Sequence, residues 1–264
     1  MERPAIHSRP QTSRLRKFHV RPGNVSDQRV VFDQEEAHHL SRVLRLTPGD
    51  TIEAVDGIGT EYTVRLELVS PKVASGIILA ETRATKESPL ALTLAQGVPK
   101  GDKMEWVVQK ATELGVKRIV PLLTERVVVR LDPGRWRERA RRWQRVAKEA
   151  AKQAGRGEIP AVETPVPLAD FCARSLEVGC AICFWEGETR GLREILREVT
   201  PPSSALLLVG PEGGLSLQEV EALRATGFLS ARLGPRILRT ESAGVVGLSL
   251  LQYLYGDLGS GQQA

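Results

Sequence analysis

From Leu90 onward, short apolar runs alternate with stretches of helical character, and this rhythm restricts the fold more than any other property of the chain. Ala91 to Ala95, Val116 to Leu123, Ala181 to Trp185, Ala205 to Val209 and Ala231 to Leu233 read as strands. Between them lie a helix that runs to Leu114, with Gly115 as its stop, and a long basic helix over 135–154. Ser216 with Glu219 caps a further helix, and a strongly apolar one follows over 241–255. Asp102 with Glu105 predicts another capping box at the start of the first helix. Strands separated by helices specify an α/β domain around a mainly parallel sheet.

Residues 1–85 have a different texture. Phe18 to Val20 and Val30 to Phe32 read as strands, and Asp33 with Glu36 opens a short helix. Thr51 to Val55 and Tyr62 to Leu68 alternate apolar and polar residues across an Asp56-Gly57 turn, which is a hairpin signal. The segment predicts a small β-barrel or curled sheet, preceded by a basic extension over 1–15 and followed by a polar linker over 83–89. The α/β domain then occupies 90–258.

No apolar run approaches the roughly 20 residues of a membrane span, and the N-terminus lacks the apolar core of a signal peptide. A cytoplasmic protein is expected. Three cysteines, Cys172, Cys180 and Cys183, are too few and too clustered for a disulfide framework. Cys180 and Cys183 are three apart on a strand, so they point to opposite faces, and no metal is expected. Charge is unevenly spread. Between Arg126 and Lys152 ten Lys or Arg face three acids, in a chain whose net charge is only +5. Such a concentration is the footprint of a polyanion partner.

Two segments carry most of the chemistry. Leu206 to Ser216 and Leu233 to Ala243 each join an apolar strand to a helix start through a Gly/Pro-bearing loop. Glycine lets a ligand approach the main chain closely. Gly210 to Gly214 is neither the G-x-G-x-x-G dinucleotide fingerprint nor a P-loop. Glu212 within it would repel a phosphate, and suits a cationic or hydroxyl-bearing ligand better. In the second segment Ile237 and Leu238 offer an apolar wall, and Thr240 is placed to cap the last helix with Glu241 in its first turn.

Taken together with Lys100 to Gly115, these segments resemble the bacterial 16S ribosomal RNA uracil-N3 methyltransferases, members of the SPOUT class. Further matches are Arg16-Lys17-Phe18, His38-His39-Leu40, Val43 to Arg45, Glu149-Ala150 with Gln153, Gly155-Arg156 and Phe184-Trp185-Glu186, so the resemblance spans nearly the whole chain. It departs from the family at Ser242, where a threonine is common, and at Lys152, where an acid is usual. The resemblance implies an N-terminal PUA-like β-barrel for RNA and a C-terminal α/β domain closed by a deep trefoil knot. It also implies S-adenosyl-L-methionine as cofactor, a homodimer, and N3 of a uridine in 16S rRNA of the small ribosomal subunit as target. The cofactor residues it points to are Glu186, Val209, Gly210, Pro211, Glu212, Gly214, Leu233, Gly234, Ile237, Leu238, Arg239 and Thr240.

Methyl transfer to uracil N3 requires that a nitrogen bearing a proton become nucleophilic, by a general base or by stabilising the developing imidate. Arg239 is the candidate for the second role; Glu212 and Glu241 are candidates for the base. His38, Arg42 and Arg45 fall at i, i+4 and i+7, one face of a regular helix. With Arg16, Lys17, Lys100, Arg126, Arg130 and Arg156 they form the expected RNA surface, the cations contacting phosphates. Trp136 and Trp143 are expected in the core. A non-catalytic RNA-binding assembly factor on the same scaffold, and a SPOUT enzyme acting on transfer RNA, remain the alternatives.

Overall fold

The computed structural model describes residues 17–84, 87–174 and 177–259. The chain divides into two units, Met1–Ala84 and Thr85–Ala264. The extension over 1–15 and Arg16 lie outside the described residues.

The first unit is a six-stranded sheet of β1 (Lys17–His19), β2 (Val25–Ser26), β3 (Arg29–Phe32), β4 (Thr51–Val55), β5 (Thr60–Val69) and β6 (Ala74–Arg83). Their order is β1-β4-β5-β6-β3-β2, antiparallel throughout except for β1 beside β4. Asp56 Oδ1 fixes the predicted hairpin by accepting the N–H groups of Ile58 and Thr60, each at 2.9 Å. The strand alternation buries Ile52, Ala54, Val64 and Leu66 with Phe18 and Leu40. Register breaks in β5, and Gly76, where a Cβ would stand 2.4 Å from the Arg65 carbonyl oxygen, let β5 and β6 curl over that core.

Two expectations for this unit need correction. Asp33 does cap α1 (Gln34–His38), accepting from the Glu36 N–H at 3.0 Å. The helix then passes into a π-helical turn over His39–Val43, and Arg45 adopts φ +55°. His38, Arg42 and Arg45 are all exposed, but they do not share one regular helical face, because the wider turn rotates the residues that follow it. Lys17 is mostly buried and ion-paired with Glu61, so it serves the sheet rather than a phosphate.

The second unit is built on a parallel sheet. Its strands are β7 (Ala91–Gly97), β8 (Arg118–Leu123), β9 (Ala161–Val162), β10 (Val166–Pro167), β11 (Cys180–Phe184), β12 (Ser204–Val209) and β13 (Leu229–Ala231). The order is β10-β8-β7-β12-β11-β13, with β9 also paired to β8. The helices are α2 (Lys103–Glu113), α3 (Pro133–Ala154), α4 (Leu168–Cys172), α5 (Leu192–Leu196), α6 (Leu217–Ala225) and α7 (Thr240–Tyr255).

Central strands of such a sheet are covered on both faces, which is why they read as continuous apolar runs. Along β12, Ala205, Leu207 and Val209 enter one core with Leu248 and Leu251 of α7, while Leu206 and Leu208 enter the other with Val220 and Leu223 of α6. Cys180 and Cys183 of β11 divide between the same two cores. Burial pushes the Cys183 thiol up to about 12, so it packs as a small apolar group. Against the outer face of α2 lies α3, which buries Trp136 and Trp143 with ring centroids 6.5 Å apart. It leaves Arg135, Arg137, Arg141, Arg142 and Arg145 exposed. Asp102 makes no side-chain cap; Glu105, its expected partner, instead pairs with Arg142 of α3 at 2.6 Å.

Arg156 is the clearest departure from the expected RNA surface. Its side chain is 4% exposed and pairs with Glu87 at 2.8 Å. It also donates to the carbonyls of Thr112 and Val116, each at 2.9 Å. Truncating one partner of a buried pair strands the other charge and costs about 3–5 kcal/mol. Arg156→Ala is therefore expected to lower the melting temperature by roughly 6–20 °C, at about 2–4 °C per kcal/mol. Scanning calorimetry checks this; an unchanged melting temperature would return Arg156 to the surface.

Candidate active site

In open parallel sheets ligands bind beyond the carboxyl ends of the strands, where strand order reverses. Here that end gathers the loops after β11, β12 and β13. Beyond β13, at the sheet edge, residues 232–239 run back past β11 to the centre. Thr240 then stands between the ends of β7 and β12: its hydroxyl donates to the Gly210 carbonyl at 2.5 Å and accepts from Gln96 Nε2 at 2.8 Å. Thr240 is thus the first residue of α7 and a tether between strands, not the cap expected of it; Arg239 occupies the cap position and makes no cap bond.

The crossing encloses a cleft of about 370 Å³, within the usual range for small-molecule sites. All twelve residues singled out for a cofactor line it: Glu186 after β11, Val209 to Glu212 and Gly214 after β12, and Leu233, Gly234 and Ile237 to Thr240 after β13. Gly214 has φ +68°, and a Cβ there would meet the Glu186 carboxylate at 3.0 Å, so only glycine lets that carboxylate lie against the loop. Ile237 is 83% exposed and with Val209, Leu233 and Leu238 forms an apolar wall.

Neither expected base is idle. Glu212 Oε1 accepts from the Lys100 N–H at 3.0 Å and from Lys103 Nζ at 3.1 Å. Partial burial works to raise the Glu212 carboxyl, but its own N–H, that of Lys100 and the Lys103 ammonium outweigh it and hold it below the ordinary carboxylate value. Glu241 Oε2 lies 3.5 Å from the same ammonium. The Glu212 carboxylate, so held in its charged form, is a weak proton acceptor.

The cleft mouth is cationic. Lys103, Arg232, Arg236 and Arg239 all line it. Arg232 Nε is spent on the Gly234 carbonyl at 3.0 Å, whereas Arg239 is exposed and has no ion-pair partner among the described residues. Arg126, expected on the RNA surface, donates from Nη1 to the Gly213 carbonyl at 2.8 Å and so braces the glycine loop as well. Lys100 and Arg130 are exposed.

Lys103, Arg232 and Arg236 escaped the sequence reading. Lys103 is brought in from a segment more than a hundred positions from the loop it contacts, which no periodicity reveals. The one available signal was a lysine at the first position of α2, where the helix dipole disfavours a cation. As a donor set the cleft offers a backbone cradle, an apolar wall and the carboxylate of Glu186. That combination fits a nucleoside carrying hydroxyls and positive charge.

Comparison with known proteins agrees with this chemistry. An RNA methyltransferase domain family matches residues 86–252, and an RNA methyltransferase PUA domain matches residues 32–79. Ribosomal RNA small subunit methyltransferase E of Bacillus subtilis (strain 168) is 37% identical over 224 residues, 83% of this chain and 88% of the relative. The protein of the same name from Synechocystis sp. is 33% identical over 89% of this chain and 76% of its own length. A solved structure of ribosomal RNA small subunit methyltransferase E from Neisseria gonorrhoeae, bound to S-adenosyl methionine, superimposes with a TM-score of 0.82. It is 33% identical and covers 92% of this chain and 99% of its own. A methyltransferase of Legionella pneumophila in complex with the same cofactor gives the same figures. With a matching domain over more than half its length and relatives above 30% identity over most of it, the chain belongs to the ribosomal RNA small subunit methyltransferase E family.

Proposed function

We propose that the protein transfers a methyl group from S-adenosyl-L-methionine to N3 of a uridine in 16S rRNA of the small ribosomal subunit. The observation that carries this reading is the convergence of both glycine-bearing loops and Glu186 on one cleft whose mouth is cationic. The names of the relatives supply the ribosomal target. The cofactor supplies an electrophilic methyl on a sulfonium centre. Val209, Leu233, Ile237 and Leu238 would hold its base, and Glu186 its ribose hydroxyls. Backbone groups of the two loops would hold the rest.

For such an in-line displacement the protein mainly positions donor and acceptor. Glu212 and Glu241, both ion-paired with Lys103, act in this reading as anchors. Arg239 stabilises the imidate that forms when uracil N3 gives up its proton to solvent at the open mouth. Arg236 and the exposed arginines of α3 would bind phosphates without reading sequence. The return of 232–240 from the sheet edge to its centre supports a trefoil knot. The exposed Val246, Leu250, Tyr253 and Leu254 of α7 support a homodimer.

Isothermal calorimetry should detect S-adenosyl-L-methionine binding to the purified protein; absence of heat at micromolar protein would favour a non-catalytic RNA-binding factor. Deleting the gene should remove N3-methyluridine from small-subunit rRNA, read by mass mapping of nucleosides, and an unchanged level would refute the assignment. Arg239→Ala should lower kcat by about 10²-fold, the scale of losing one donor to a developing anion, with a much smaller change in cofactor Kd. A matching loss of cofactor binding would make Arg239 a ligand instead.

A further inference from the structure

Lys103 joins elements that are otherwise remote: the start of α2, the glycine loop after β12 and the first turn of α7. Its ammonium lies 3.1 Å from Glu212 Oε1 and 3.5 Å from Glu241 Oε2, so the two carboxylate oxygens stand within two ion-pair lengths of each other. Glu212 has a second support in the Lys100 N–H. Glu241 Oε2 is buried and has no hydrogen-bond partner among the described residues. Its charge is offset by Lys103 and by the N-terminal end of the α7 dipole. The lysine itself stands at the first position of α2, against that helix's own dipole. A residue that breaks a local rule in a cleft is the pattern of a functional position.

We infer that Lys103 is a positioning residue that holds the loop after β12 and the first turn of α7, which flank the cofactor cleft, at their working separation by serving Glu212 and Glu241 as a shared counter-ion. This rests on the cofactor reading above. Without the ammonium, two like charges, one on the loop after β12 and one in the first turn of α7, disfavour each other, and the Glu212 part of that loop, beyond the Gly210 tether, moves away from α7. The cofactor then meets a wider, less ordered site. Lys103 acts here through the carboxylates, so the effect of removing it depends on whether they are still charged.

That dependence supplies the test. Calorimetric titration with S-adenosyl-L-methionine would compare the wild type, Lys103→Met, Lys103→Arg, Glu212→Gln and the double variant Lys103→Met/Glu212→Gln, with thermal melts alongside. Lys103→Met is expected to weaken cofactor binding by about tenfold, and Lys103→Arg to recover most of it. The double variant should bind more tightly than Lys103→Met alone, because one of the two opposed charges is gone. A residue that merely touches the cofactor, or merely supports the fold, gives the opposite order, with the double variant the weakest. That order, or a Lys103→Met variant that binds like the wild type, would overturn the inference while leaving the cofactor reading intact. Should Lys103→Met not fold, the order of Lys103→Arg and Glu212→Gln decides: the inference requires the arginine variant to bind close to the wild type, and a tenfold loss there overturns it. A wild type that takes no cofactor overturns the reading and the inference together.

Discussion

One buried hydroxyl organises the functional end of the second unit. Thr240 donates to the carbonyl of Gly210 and accepts from the amide of Gln96, and so joins the start of α7 to the ends of β12 and β7. Each of the three segments has its own reason to be elsewhere. The chain reaches Thr240 from the sheet edge, Gly210 begins a loop, and Gln96 lies one residue before the end of a strand. Buried polar groups are costly unless paired, and the Thr240 hydroxyl, the Gln96 Nε2 group and the Gly210 carbonyl pair with one another, while Gln96 Oε1 has no hydrogen-bond partner among the described residues. The crossing segment is thereby pinned at its far end, and both walls of the cleft take their positions from it. Further along α7, Gln252 repeats the device, donating to the Leu114 carbonyl at 2.8 Å while Ser88 donates to it at 2.7 Å.

The close packing of α7 follows from the same crossing. A Cβ at Gly247 would fall 2.4 Å from the Phe184 ring, so the helix lies against β11 and β12 only because that position has no side chain. Gly97 is equally exacting: a Cβ there would meet the backbone nitrogen of Pro211 at 2.5 Å. Substituting Gly97 would force backbone apart where the loop after β12 begins, and substituting Gly247 would displace the Phe184 and Leu207 side chains. The site's backbone character therefore extends inward, to glycines that touch no ligand.

The strand–helix rhythm of the second unit is legible in the sequence because a parallel sheet covered on both faces leaves unbroken apolar runs, such as Ala205 to Val209. The inward tryptophans of α3 are legible for a similar reason, since Trp136 and Trp143 are seven apart on one helical face. What local pattern cannot convey is how far a side chain's partner lies along the chain. Arg156 looks like one more cation in a basic region, yet Glu87, 69 positions earlier, turns it into a buried tether. Lys17 is diverted in the same way by Glu61. The stripe of His38, Arg42 and Arg45 fails for a local cause instead, a π-helical turn that no spacing rule anticipates. Thr240 follows the rule for a cap residue and is used one position later, because a tether between β7 and β12 satisfies its hydroxyl better than the helix end would.

Charge in the cleft is sorted by loop. Glu186 lies against Gly214 of the loop after β12, while Arg236 and Arg239 stand exposed on the segment after β13. A cationic ligand entering such a site gains from the carboxylate, and a polyanion gains from the arginines, so the two partners do not compete for the same groups. Lys103 is the exception, a cation set among carboxylates. Its presence is consistent with that division only because Glu212 and Glu241 both take it as counter-ion, leaving Glu186 as the carboxylate without a cation among the described residues. The site thus separates its acids by partner: two are committed to holding loops together, and one stands open to the cleft.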